Sequence, residues 1–261
     1  MGLAKALKTS RLLRAAIVIA GLFVLLPYLL VPLYRFGNPV STLMVWRWVT
    51  GHRVERAFVP LPQIAPALPL AVIMAEDGRY CSHHGIDFQE LRGIMQDAEE
   101  LDDLRGGSTI TQQTVKNLFL WQGRSVLRKI LELPLALWTD LVLPKWRVME
   151  IYLNIVEWGP DGQFGAEAAS RFAFGKSARQ LGSGEAALLA AILPNPRLRS
   201  ARQPRSDVRR LAGIYTARAA RAPWAGTCVR VRRGTSAADL KFLRHLLQVS
   251  GGTSFRASLP L

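Results

Sequence analysis

The chain has 261 residues, of which 49% are hydrophobic, so it is long and apolar enough to bury a core and is not a disordered polypeptide. Its 34 basic and 19 acidic side chains leave a net charge of +15. Residues 1–14 carry four basic side chains and no acidic one, and residues 197–261 carry 14 basic against two acidic. The other 16 basic and 17 acidic side chains nearly cancel, so the basic character belongs to the two ends and residues 15–196 form a neutral body.

Residues 15–34 are twenty amino acids without a charge. At about 1.5 Å per residue they can cross the ~30 Å of hydrocarbon in a bilayer, so they predict a transmembrane helix. A cleaved signal peptide is the alternative, but residues 35–38 offer no small-x-small cleavage site. The basic residues 1–14 should stay in the cytoplasm, which puts everything after residue 34 on the outer side of the membrane.

Residues 35–67 are predicted to be a juxtamembrane linker. Trp46 and Trp48 lie among arginines there, which suits contact with lipid headgroups, although an ordinary connector fits as well. An apolar run at 70–75 then predicts a buried helix that starts near Pro69.

Further helices follow, and the body is predicted to be mainly α. Thr109 and Gln112 form a capping-box pair that starts a helix to about residue 120. Two more helices are predicted over 125–143, with a kink at Pro134, and over 145–154. The acidic residues 97–107 end in two glycines and predict a mobile loop or a fraying helix end.

The two cysteines, Cys81 and Cys228, form neither a close-spaced ligand set nor a dense disulfide framework. A single disulfide is open to an exported chain, but free thiols are the favoured interpretation.

Glu76 and Asp77 end the predicted buried helix. A carboxylate packed against that much hydrocarbon should have a raised pKa, which suits a general acid or base near neutral pH; a solvated helix cap is the alternative. His83 and His84 follow as surface residues or as metal ligands, but no third ligand stands at metal-site spacing.

Residues 106–117 (GGSTITQQTVKN) combine two glycines, hydroxyl groups and a helix N-terminus, which favour an anion such as a phosphate. The spacing is not that of a P-loop. A turn before a well-capped helix is the alternative, but it does not explain the crowding of polar side chains. These are Ser108, Thr109, Thr111, Gln112, Gln113, Lys116 and Asn117.

Arg128, Lys129 and Glu132 fall within about one helical turn. Arg128 and Glu132 share a helix face, so an ordinary salt bridge worth a few tenths of a kcal/mol is the alternative to a site. Glu150 and Asn154 also lie one turn apart, and we predict that they tie neighbouring loops together.

Five segments together resemble the bacterial peptidoglycan glycosyltransferases of family 51. They are EDGRYCSHHGID (76–87), GGSTITQQTVKNLFL (106–120), RSVLRKILE (124–132), KWRVMEIYLNIVEWG with GAEAASRFAFGK (145–176) and EAALLAAILPNP (185–196). The resemblance covers residues 68 to about 199 and is to the monofunctional, membrane-anchored branch, because the Ser-x-x-Lys and Lys-Thr-Gly motifs of a transpeptidase are absent. The chain departs from the family pattern at Tyr80, where Phe is usual, at Pro134 and at Gly182.

The resemblance implies a two-lobed, lysozyme-like domain over 68–200, followed by a basic C-terminal extension over 201–261. It implies lipid II, a disaccharide-pentapeptide on undecaprenyl pyrophosphate, as the substrate. The 4-hydroxyl of the acceptor lipid II attacks the anomeric carbon of the growing chain with inversion. The lipid pyrophosphate is expelled and a β-1,4 link forms.

By the same resemblance, Glu76 is the general base and Glu132 a second essential carboxylate on the donor side. The cations that meet the pyrophosphates are Lys116, Arg128 and Lys129. The other residues that we assign to substrate binding are Ser108, Thr109, Gln112, Gln113, Asn117, Tyr80 and His83. The sequence does not decide whether a divalent cation, Mg or Mn, assists.

The expected partners are lipid II, the growing glycan strand and membrane lipids, with cell division or elongation proteins as further candidates. A lytic transglycosylase is one rival, but it needs a single catalytic acid and no pyrophosphate clamp. A non-catalytic scaffold is another, but both carboxylates are present. We expect no nucleic acid, because the basic tail is predicted to lie outside the cytoplasm, where it is either attracted to anionic headgroups or simply solvated.

Overall fold

Helices account for most of the chain in the computed structural model, which describes residues 2–97, 107–123 and 125–230. In those ranges there are ten α-helices: α1 (Gly2–Leu33), α2 (Thr42–Val49), α3 (Ala67–Glu76), α4 (Phe88–Asp97), α5 (Ile110–Phe119), α6 (Val126–Val142), α7 (Lys145–Ile155), α8 (Ala166–Phe174), α9 (Ser183–Ile192) and α10 (Ser206–Arg221). The mainly α fold predicted from the sequence is confirmed. Most of the predicted acidic loop, 98–106, and the tail beyond residue 230 lie outside the described residues.

The start of α5 follows the predicted capping chemistry, and α6 starts at the predicted residue with a cap that was not predicted. At α5, the Gln112 amide donates to the Thr109 hydroxyl at 3.1 Å, and the Thr109 amide donates to the Gln112 side chain at 2.9 Å. At α6, Ser125 accepts from the Arg128 amide at 3.4 Å, and the helix continues through Pro134. The sequence therefore specifies where the two helices of the site begin.

Two short parallel strands join the segment after α1 to the body. β1 (Glu55–Arg56) pairs with β2 (Gln163–Phe164). Gly162, just before β2, has φ +84° and approaches the Arg53 carbonyl so closely that a Cβ would overlap it. Only glycine fits this approach, because it has no side chain and tolerates positive φ.

The last turn of α1 is part of the core. Val31 is fully buried with Leu135 and Ala136 of α6, and Trp138 donates its indole N–H to the Tyr28 carbonyl at 3.0 Å. The part of α1 from Leu13 to Leu33 is long and apolar enough to cross a membrane. The C-terminal end of α1 therefore packs directly on the body, so the two are not joined by a flexible linker alone.

The predicted linker, 35–67, contains a packed helix. In α2, Met44 is fully buried and Arg47 pairs with the buried carboxylate of Glu157. Thr42, at the start of α2, donates its hydroxyl to the Leu120 carbonyl at the end of α5, at 2.8 Å. This contact joins α2 to the helix that carries the polar cluster.

The predicted boundary near residue 200 is wrong. The compact unit continues to Val229, because α10 packs on α3 and α9 and is followed by a 3₁₀ helix, Pro223–Val229, against α3. Val208 and Ala212 of α10 are buried. Basic side chains dominate the sequence of this region, so the few apolar positions that dock the helix were not recognised from the sequence.

The free-thiol interpretation is also wrong. Cys81, in the loop after α3, forms a disulfide with Cys228, with the two Cα atoms 5.5 Å apart. The two cysteines are 147 positions apart in sequence, and only the docking of α10 and the 3₁₀ helix brings them together. No sequence spacing could indicate this pair.

Candidate active site

Glu76 is the last residue of α3, a helix buried along most of its length. Its Oε2 accepts a hydrogen bond from Gln113 Nε2 at 2.7 Å. Burial raises the pKa of the Glu76 carboxyl above its ordinary value, and this effect outweighs the opposing effects of the Gln113 hydrogen bond and the Lys116 charge. The direction agrees with the sequence prediction of a raised pKa, and the hydrogen bond to Gln113 disfavours the solvated-cap alternative for Glu76.

Gln113 is held in one orientation by α7. The Tyr152 hydroxyl donates to Gln113 Oε1 at 3.0 Å, so the amide N–H groups must face Glu76. Burial raises the pKa of Tyr152 well above its usual value, so this phenol stays protonated and remains a donor. Two uncharged side chains, Tyr152 and Gln113, therefore hold the Glu76 carboxylate through hydrogen bonds, and neither places a charge beside it.

Asp77 organises the loop beside Glu76. It lies 2.9 Å from His83 Nε2, and its other oxygen accepts from the Ile110 amide at the start of α5, at 3.0 Å. His83 is buried, and Tyr80 is fully buried with its hydroxyl donating to the Lys145 carbonyl at 2.9 Å. His83 and Tyr80 were predicted to bind substrate, but in the structure their side chains bind other groups of the protein, Asp77 and the Lys145 carbonyl.

Glu132 lies at the centre of a second charged group. Its side chain is only 2% exposed, and it pairs with Arg128 Nη1 at 2.5 Å and Lys129 Nζ at 2.8 Å. Lys129 Nζ also donates to the Ser108 hydroxyl at 2.9 Å. A buried carboxylate with two cations is not the exposed surface bridge that was the alternative for these residues.

Lys116 connects the two charged groups. Burial lowers the pKa of its ammonium group, while the charges of Glu132 and Glu76 both act to raise it. Lys116 therefore lies within electrostatic reach of both carboxylates. The structure brings together, around one lysine, residues from α3, α5 and α6 that are up to 56 positions apart in the sequence.

A cavity of about 270 Å³ opens beside Glu76. Ser108 and Thr109, which we assigned to substrate binding from the sequence, line it together with Arg218 of α10, which the sequence did not single out. Gln112 is buried and occupied by the α5 cap, and the Asn117 side chain accepts from Gln122 at 3.4 Å, so neither lines this cavity. Arg218 lies outside every recognisable motif, so no sequence signal pointed to it.

Glu150 and Asn154 have the structural role predicted for them. Glu150 accepts from the Leu61 amide at 2.6 Å, and Asn154 makes two hydrogen bonds to the backbone of Val59, at 2.8 and 2.9 Å. Among the described residues, no group of three His, Cys, Asp or Glu side chains is placed to hold a metal ion.

One face of α6 is apolar and exposed, while the opposite face carries Glu132. The exposed side chains are Val126, Leu127, Ile130, Leu137 and Leu141. Exposed apolar side chains also cover part of α2, at Val45, Trp46, Trp48 and Val49. Exposed apolar side chains grouped on a helix face are typical of contact with a membrane or another protein.

Comparison with known proteins shows the family to which this sequence belongs. Residues 43–219 match the family model described as Transglycosylase. The chain is 59% identical over 216 residues to the biosynthetic peptidoglycan transglycosylase of Rhodopseudomonas palustris strain TIE-1, covering 83% of this chain and 92% of the relative. It is 61% identical over 211 residues to the protein of that name from Nitrobacter hamburgensis (81% and 93%), and 51% identical over 220 residues to that from Brucella suis (84% and 96%). With most of its length matched in this way, the chain belongs to the transglycosylase family.

Proposed function

We infer that this protein polymerises the glycan strands of peptidoglycan, transferring the growing chain from its undecaprenyl pyrophosphate to the 4-hydroxyl of lipid II. The relatives are biosynthetic peptidoglycan transglycosylases by name. The observation that carries the proposal is the placement of two carboxylates within electrostatic reach of Lys116. Glu76 has a raised pKa, and the buried Glu132 is held by two cations. Attack by a hydroxyl needs a base such as a carboxylate of raised pKa, and departure of a pyrophosphate needs fixed cations.

Glu76 acts as the general base. It accepts the proton of the acceptor 4-hydroxyl while the oxygen attacks the anomeric carbon. A carboxylate whose pKa is raised by burial is a better base than a solvated one, because its pKa lies closer to that of the proton donor. Gln113 holds the carboxylate in place through the hydrogen bond at 2.7 Å.

Arg128, Lys129 and Lys116 bind the pyrophosphate that leaves. As the bond from the anomeric carbon to the phosphate breaks, negative charge grows on the phosphate oxygen that leaves that carbon. Fixed cations stabilise this charge without reorganising. Glu132 keeps Arg128 and Lys129 in place on the donor side. Ser108, bonded to Lys129, lies between this group and the cavity beside Glu76.

The protein crosses the inner membrane once, through α1, with residues 1–14 in the cytoplasm and the catalytic domain on the periplasmic side. The charge of residues 1–14 supports this orientation. The exposed apolar face of α6 lies on the same helix as Arg128 and Lys129, so insertion of that face would hold the cations at headgroup depth. The pyrophosphate of a membrane-bound lipid lies at that depth.

The experiment that tests this function is incubation of the purified full-length protein in detergent with labelled lipid II. We expect long products that a muramidase digests to disaccharide units. Preformed glycan serves as the second substrate in parallel. Cleavage of that glycan without growth of lipid II products would identify a lytic enzyme, and the absence of both reactions would favour a scaffold.

A further inference from the structure

The cavity beside Glu76 has one wall that lies outside the five segments that resemble the family. That wall is Arg218, on α10, in the region that the sequence presented only as a basic extension. Arg218 Nη1 lies 3.5 Å from the Met74 carbonyl, two residues before Glu76. The guanidinium is therefore held near the end of α3, where the base is.

α10 is fixed in this position from both ends. Val208 and Ala212 are buried near its start, and the 3₁₀ helix after it is bound to the loop after α3 by the Cys81–Cys228 disulfide. Tyr215 lies three residues before Arg218. Burial raises the pKa of its phenol, the Glu76 charge raises that pKa further, and the Arg218 charge lowers it. Arg218 lines the same cavity as Glu76.

The other charged groups around the cavity are largely occupied. Asp77 binds His83 and the Ile110 amide, and Asp87 pairs with Arg79 at 3.4 Å. Within the described ranges, Arg218 has no carboxylate at ion-pair distance, and its one hydrogen bond is the long contact to Met74. Its donors remain available to a ligand in the cavity.

The charge of the cavity argues for an uncharged ligand. Four carboxyl groups line it, against two guanidinium groups; they are Glu76, Asp77, Asp87 and Glu90, with Arg79 and Arg218. A diphosphate would be repelled by this excess of acidic groups, whereas sugar hydroxyls bind to carboxylates and guanidinium groups alike. The volume of about 270 Å³ lies just below the range of drug-sized ligand sites, so it suits a single sugar ring.

We propose that Arg218 is a substrate-contacting residue that binds uncharged oxygen atoms of the terminal acceptor sugar, the ring whose hydroxyl Glu76 deprotonates. This inference rests on the proposed function. The forked N–H groups of an arginine can bind two ring substituents at once, which fixes the rotation of the sugar above Glu76. The cations of the leaving-group side, Lys116, Arg128 and Lys129, lie on α5 and α6 and do not line this cavity.

The test separates the acceptor from the donor. A preformed lipid-linked tetrasaccharide is held at saturation as donor, while acceptor lipid II is varied in detergent. We expect Arg218→Ala to raise the acceptor KM about tenfold or more, with kcat within about threefold of wild type. Arg221→Ala is the matched control, because Arg221 is exposed on the same helix and does not line the cavity.

Two further measurements identify the partner of Arg218. If it binds uncharged oxygens, Arg218→Lys should recover little, because it lacks the fork, and the KM ratio should not change between 50 and 500 mM salt. Full recovery by lysine, or a KM ratio that falls steeply with salt, would identify an anionic partner and overturn the proposal. An acceptor KM within twofold of wild type would also overturn it.

A folding defect and a failed function give different results. Arg218→Gln keeps most of the side chain and replaces the Ala variant if the latter melts more than a few degrees below wild type. Glu76→Gln is measured in the same assay. Loss of turnover in Glu76→Gln together with an unchanged Arg218→Gln would leave the proposed function intact and reject only the role of Arg218.

Discussion

Removal of the Cys81–Cys228 disulfide should cost this protein a large part of its stability. The bond closes a loop of 147 positions, and the chain-entropy relation for a loop of that length gives about 17 cal/mol/K, or about 5 kcal/mol at 25 °C. A folded domain is typically stable by only about 5–15 kcal/mol, so the loss is a substantial fraction of the total.

Urea unfolding of the full chain in detergent micelles, followed by tryptophan fluorescence, measures this loss. Cys228→Ser and Cys81→Ser should each lower the unfolding free energy by about 3–5 kcal/mol and the melting temperature by about 6–20 °C. The double variant should lose no more than either single one, because all three lack the same bond. Reductant should bring the wild type to the level of the variants and leave the variants unchanged.

A loss below about 1 kcal/mol in both single variants would refute this reasoning. It would mean that the unfolded chain is already restrained without the bond, so that closing the loop removes little of its entropy. Unequal losses in the two variants would instead show that one of the sulfur atoms matters through its own packing.

Three other predictions concern the site and the anchor. Glu76→Gln should lower polymerisation by at least ~10² with the fold retained. Burial raises the folded-state pKa of Glu76, so ionisation costs stability as pH rises through that pKa. The melting temperature of the variant should therefore gain on that of wild type, and wild-type activity should rise, as pH increases from the ordinary carboxyl pKa through the raised one. Arg128→Ala should lower turnover by more than the roughly fivefold that a surface bridge of ~1 kcal/mol explains, and unchanged turnover with a slightly lower melting temperature would restore a purely structural role. Deleting residues 1–26 should leave activity in detergent but weaken it on lipid II in vesicles, whereas deleting 1–34 should also lower the melting temperature by removing buried Val31; equal melting temperatures would contradict the docking of α1.

Local patterns determined much of this protein. The uncharged stretch, the capping pair at Thr109 and Gln112, and the apolar run before Glu76 each depend on neighbours a few positions apart, so the sequence alone indicates them. The buried setting of Glu76 follows from the same run, because a carboxylate at the end of a fully apolar helix is desolvated wherever that helix packs.

Only the tertiary structure decided the features that join distant parts of the chain. The disulfide, the docking of the end of α1 on α6 and the position of Arg218 beside Glu76 each involve residues more than a hundred positions apart. The basic residues of α10 pointed to a solvated tail, since charge dominates its composition while only Val208 and Ala212 are buried. Two small apolar side chains carry almost no periodic signal, yet they dock the helix because α3 and α9 already provide an apolar surface, and that surface exists only after the chain has folded.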